Sequence, residues 1–143
     1  MTIPAREPGE ETPEYYKRLR LLRDTLRGYL PRLRDQALQE GRSAGLTAQQ
    51  IAQRLGVSVG WLYRPRDVEF KCGDDVCLPP RRDDEDALAY YTRLNALRDE
   101  LSRLLPQLIR QAAREHPAVS RSNLAARLGV SEGYLFKVLR GRC

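Results

Sequence analysis

The sequence is poor in the residues on which most catalytic and metal chemistry depends. Its 143 residues include one histidine, three cysteines, one methionine and one tryptophan. With no Gly-x-Ser-x-Gly and no phosphate-binding glycine loop either, nothing remains on which to build an active site. No catalytic residue, no enzyme activity and no cofactor are therefore expected. Cys72 and Cys77 form a C-x4-C pair, while Cys143 and His116 are remote in sequence. Zinc needs about four ligands, so no metal site is expected. The pair reads as two free thiols, or as a disulfide closing a small hairpin in VEFKCGDDVCL. An odd cysteine count argues against a disulfide framework. No apolar run approaches the roughly 18 residues that cross a bilayer, which excludes a membrane-spanning role. The opening MTIPAREPGEETPE is polar and acidic, unlike a signal peptide, so the cytoplasm is the expected compartment.

What the chain has in quantity is positive charge. Its 25 Lys+Arg stand against 19 Asp+Glu, giving +6. Residues 13–66 hold eleven basic against four acidic side chains, and residues 85–143 hold ten against six. Residues 1–12 and 67–84 are net acidic. Two basic blocks suit a polyanionic partner, against the plainer alternative of a solvated, arginine-rich surface.

The two blocks are copies of one another. YYKRLRLLRDTLRGYLPRLRDQALQE (15–40) aligns with YYTRLNALRDELSRLLPQLIRQAARE (90–115), fourteen of 26 positions being identical at an offset of 75. IAQRLGVSVGWLYR (51–64) aligns with LAARLGVSEGYLFK (124–137), eight of 14 being identical at an offset of 73. The two-residue difference falls between GRSAGL and HPAVS, as loops tolerate. The organisation expected is a polar N-terminal tail (1–12), a first unit (13–65), an acidic Cys/Pro-containing linker (66–84) and a second unit (85–143).

Each unit reads as all-α. Leu19, Leu22, Leu26, Leu30, Leu33 and Ala37 are spaced 3, 4, 4, 3, 4, and Leu94 to Ala112 repeat that spacing. This is one apolar stripe on a long helix. The stripe serves as the core of its unit, a seam between the copies, or a homodimer interface. Tyr15, Tyr16, Tyr90 and Tyr91 belong at its ends. Thr12 with Pro13 predicts a capped helix start, Asp83–Asp86 a start favoured by the helix dipole, and Gly41 a C-cap. Pro31 and Pro106 interrupt the stripes without shifting their phase, which predicts a kinked helix over two separate ones.

Then come Thr47-Ala-Gln-Gln50 and Ser120-Arg-Ser-Asn123, two helix starts, each followed by a short helix, Leu-Gly-Val-Ser and a second short helix. Gly56 and Gly129 supply a left-handed turn, Ala52 and Ala125 a close crossing, and Ser58 and Ser131 caps for the second helix. Ile51, Leu55, Val57 and Leu62 are the expected buried contacts, with Leu124, Leu128, Val130, Leu135 and Val138 in the second copy. This is the pattern of a helix-turn-helix.

The phrase I-A-x-R-L-G-V-S-x-G-x-L-Y, with RDQALQEGRSAGLT before it, resembles the DNA-binding headpiece of tetracycline-repressor-type transcriptional regulators. The resemblance covers residues 32–64 and, more loosely, 107–140. It implies a trihelical headpiece whose last helix reads the major groove. Such regulators carry one motif followed by a ligand-binding domain. The chain has two motifs and no counterpart of that domain, so ligand-induced release does not carry over. Pro65 cuts the first reading helix short, where Val138 continues the second.

The expected function is sequence-selective binding of double-stranded DNA by two helix-turn-helix motifs, as a transcriptional repressor or regulator. The alternatives are a DNA-targeting component of a plasmid, phage or transposition system, and a protein-binding module. In the first copy the expected contacts are Thr47, Arg54, Ser58, Val59, Trp61, Tyr63 and Arg64. In the second they are Ser120, Arg121, Arg127, Ser131, Glu132, Tyr134, Lys137 and Arg140. Arginines would neutralise phosphates, and outward side chains of the second helices would choose bases. Trp61 and Phe136 are alternatively read as packing against the first helix of their own unit, Phe136 equally well.

Overall fold

The computed structural model describes residues 3–64 and 78–141. The described residues form six helices and no strand: α1 (Thr12–Ser43), α2 (Ala48–Leu55), α3 (Val59–Leu62), α4 (Ala87–Glu115), α5 (Arg121–Leu128) and α6 (Glu132–Leu139). None is long and apolar enough to cross a membrane. The hairpin expected around Cys72 and Cys77, Pro65 and Cys143 lie outside the described residues.

Both long helices run through their prolines, Pro31 and Pro106, without a break. The apolar side chains on either side of each proline are buried, and that burial offsets the lost backbone hydrogen bond. Gly41 does not end α1. The helix continues to Ser43 and closes on Gly45 (φ 89°), with Leu46 N–H bonded to the Gly41 carbonyl. Gly41 is needed for a different reason: a Cβ there would stand 2.8 Å from Cδ1 of Ile51 on α2. The hydroxyl of Thr12 is also not a cap. It donates to Glu115 (2.7 Å) and accepts from Arg6 (2.9 Å). At the start of α4, Asp86 does cap, accepting from Ala89 N–H at 2.8 Å.

The contacts divide the chain into two compact units, and each draws on both copies of the repeat. One consists mainly of Asp24–Arg98, the other of Thr2–Arg23 with Asp99–Cys143. In the first unit the end of α1 meets the start of α4, Ala87 N–H donating to Glu40. Leu26, Leu30, Leu33 and Ala37 of α1 share its core with Tyr91, Leu94 and Leu97 of α4 and with Ile51, Leu55 and Leu62. In the second unit the start of α1 meets the end of α4 through Thr12 and Glu115. Tyr16 and Leu19 are buried there, as are Leu101, Leu105 and Ile109, and Leu124, Leu128, Leu135 and Val138.

Each unit also has a strap ahead of its long helix. In the second unit Tyr15 O–H donates to the Pro4 carbonyl (2.7 Å), and Arg18 donates to the Ala5 carbonyl and to Glu10. In the first, Tyr90 O–H donates to the Pro79 carbonyl (2.6 Å), and Arg93 donates to the Pro80 carbonyl and to Glu85. Every partner is displaced by the same 75 residues. The duplication therefore extends back at least to Pro4 and Pro79, within stretches that read from sequence as tail and linker. Through these bonds, Arg18 and Arg93 hold the Glu10 and Glu85 carboxyls below the ordinary carboxylate value.

Candidate nucleic-acid interface

The two short-helix pairs are built alike from local chemistry. Thr47 and Gln50 close both arms of a capping box at the start of α2, and Ser120 accepts from Asn123 N–H at the start of α5. Gly56 (φ 73°) and Gly129 (φ 72°) end those helices in the left-handed conformation, which costs a glycine nothing. Val57 N–H then bonds to the Ala52 carbonyl, and Val130 N–H to the Ala125 carbonyl. Val57 and Val130 are half-buried, less enclosed than their expected core role. Ser58 and Ser131 cap the second helices, accepting from Trp61 N–H (3.2 Å) and Tyr134 N–H (3.1 Å).

The second helices differ in length, four residues in α3 and eight in α6. In the first unit Val59, Tyr63 and Arg64 are exposed, as expected. Trp61 is turned inward. It is half-buried, its ring stands edge-on to Tyr91 (5.9 Å between centroids, 65°), and the Arg34 guanidinium lies over it at 4.7 Å. Sequence reasoning missed Arg34. Only 3% exposed, it donates to the carbonyls of Trp61 (2.9 Å) and Arg64 (2.8 Å) and pairs with Asp35. It satisfies the Arg64 carbonyl, which a longer helix would have satisfied internally, and adds a second donor to the Trp61 carbonyl, which already accepts from Arg64 N–H. Arg42, also missed, donates to the Tyr63 hydroxyl.

In the second unit Glu132, Lys137 and Arg140 are exposed and Tyr134 is half-buried. Phe136 is 39% exposed, so it is not packed into its unit. The guanidinium groups of Arg121 and Arg140 lie 4.9 and 3.9 Å from its ring centroid. Arg110 donates to the Val138 carbonyl near the end of α6.

The remaining expected contacts divide by their partners. Thr47 and Ser120 are exposed, with their hydroxyls engaged in caps. Arg54 is exposed, and no carboxylate pairs with it among the described residues. Its counterpart Arg127 is committed to an ion pair with Glu11. His116 is half-buried just beyond α4, and among the described residues no three His, Cys, Asp or Glu cluster as metal ligands. The chain matches no family model, no curated protein and no solved structure.

Proposed function

We propose that this chain binds double-stranded DNA sequence-selectively and acts as a transcriptional repressor or regulator. In this reading α2–α3 and α5–α6 are tandem helix-turn-helix motifs, as their resemblance to tetracycline-repressor-type headpieces implies. One observation carries the reading. Each pair fixes its second helix by the same serine cap and left-handed glycine, yet leaves that helix's outer side chains to solvent. A helix so held has the rigidity and the free face that insertion into a major groove requires.

The roles follow from side-chain chemistry. Arg54, Arg64 and Arg140 are long, exposed cations suited to phosphates. Tyr134 stands on the first turn of α6 and Lys137 on its last, where base edges would come within reach. Glu132 is suited to accept from a cytosine amino group. Val59 and Tyr63 offer apolar and hydroxyl contacts from the shorter helix. Arg127 is withdrawn from this set by Glu11, and Trp61 by its packing.

The test is selection of bound duplexes from a random-sequence pool by the full chain. A sequence-selective protein enriches a common motif over successive rounds. Recovery of a pool no different from the input would refute selectivity and favour a protein-binding module or a nonspecific DNA binder.

A further inference from the structure

Beyond the general reading, one surface has features that the fold itself does not require. Arg121 at the start of α5 and Arg140 at the end of α6 both place their guanidinium groups against the ring of Phe136. The two guanidinium carbons are therefore within about 9 Å of each other, close to one Debye length at physiological salt. Like charges at that separation repel. Arg18, Arg34, Arg81, Arg93 and Arg127, by contrast, each pair with a carboxylate. Among the described residues neither Arg121 nor Arg140 has a carboxylate partner. Lys137, one turn before Arg140, lines a shallow cleft together with Phe136 and Arg140.

Gly133 lines that cleft too. It stands inside α6, where glycine costs about 0.5–1 kcal/mol relative to alanine. A Cβ there would meet nothing of the chain within 4 Å, and its φ is not left-handed. The fold therefore gains nothing from this glycine, and the space it leaves opens on Lys137 and Arg140.

We propose that this cleft on α6 is the chain's principal phosphodiester-binding site, with Phe136 as a positioning residue that holds Arg121 and Arg140, and Gly133 as the space the backbone of a DNA strand enters. The assignment rests on the DNA-binding reading and goes further, since it makes the second unit dominant. The first unit keeps the open glycine, Gly60, but not the arginine pair around the ring: Ala48 stands in place of Arg121, and Tyr63, in place of Phe136, takes a hydrogen bond from Arg42.

The experiment titrates a short random-sequence duplex with the full chain over a salt series, for the unsubstituted protein and for Phe136→Leu, Gly133→Ala and Arg121→Gln/Arg140→Gln. Circular dichroism and thermal melting accompany each. The paired arginine change lowers the slope of log affinity against log salt by about two. Phe136→Leu removes no charge, yet lowers that slope by about one and the affinity by about tenfold, because its guanidiniums lose their seat. Added to the paired arginine change, it has no further effect. Gly133→Ala raises the melting temperature while weakening binding at least tenfold. A Phe136→Leu protein with an unchanged slope, or a Gly133→Ala protein that binds as well as the original, overturns the assignment while leaving DNA binding intact. No binding by the unsubstituted chain at low salt defeats both.

Discussion

Replacing Arg34 by alanine should unseat α3 while sparing the helix that carries Arg34. The side chain is almost fully buried, donates to two carbonyls at 2.9 and 2.8 Å, and lies over the Trp61 ring. Hydrogen bonds from a charged donor contribute about 1.5–3 kcal/mol each. Arg64 is exposed and Trp61 half-buried, so water replaces part of what is lost, and the lower figure applies. With about 0.5–1 kcal/mol from the cation–π contact, the loss comes to about 3–4 kcal/mol. Four residues cannot sustain a helix alone, so the loss falls first on α3. Alanine favours the helical state of α1 itself. The assay is simple because Trp61 is the sole tryptophan. Its emission should shift to the red in native buffer with little change in helical circular dichroism, and the melting temperature should fall by roughly 10 °C. Lysine at this position keeps the charge but not the planar fork, and should restore less than half of the loss. Unchanged Trp61 emission together with a melting temperature within about 2 °C of the original would refute the reasoning.

Arg110→Ala removes one longer bond, to the Val138 carbonyl at 3.3 Å, from an eight-residue helix; chemical denaturation should show a loss of only about 0.5–1 kcal/mol. Gly41→Ala presses a Cβ against Ile51, which is fully buried and cannot swing into solvent, so the same measurement should show about 1–3 kcal/mol lost. Acid should destabilise the fold in a defined window. Arg18, Arg81 and Arg93, bonded to Glu10, Glu40 and Glu85, depress those carboxyls below their ordinary 4.5. A depressed folded value contributes stability that is present above the unfolded value and lost as pH falls through the folded one. The melting temperature should therefore be flat from about pH 7 to 5.5 and fall below about pH 4.5, less steeply in Glu85→Gln; a pH-independent melting temperature would count against the straps.

Much of the fold was legible because it depends on local, periodic signals. Leucines at spacings of three and four marked α1 and α4 through their prolines, and Ser58, Ser131 and Thr47 were readable as caps from their places at the head of short apolar-patterned segments. The grouping of the helix segments was not legible. A stripe says that a helix face is buried, not against what, and two nearly identical stripes satisfy pairing within a copy or between copies equally well. The straps escaped because Pro4/Pro79, Arg6/Arg81 and Glu10/Glu85 are their only identities, and backbone carbonyls make half of their contacts. Arg34 escaped because an arginine in a helix ordinarily reads as solvated surface. Its counterpart, Ile109, is the buried residue of the pair that a pattern detects. For Trp61 the outward reading by helical register gives way to its alternative, packing on its own unit, because four residues are too few to impose a register.

Titration of duplex DNA with the full chain at about 50 and 200 mM salt tests the central claim most directly. If about six phosphates are neutralised, affinity falls by roughly a thousandfold between the two. Association that ignores salt, or no association at the lower concentration, would contradict a DNA-binding role for the two basic helix pairs.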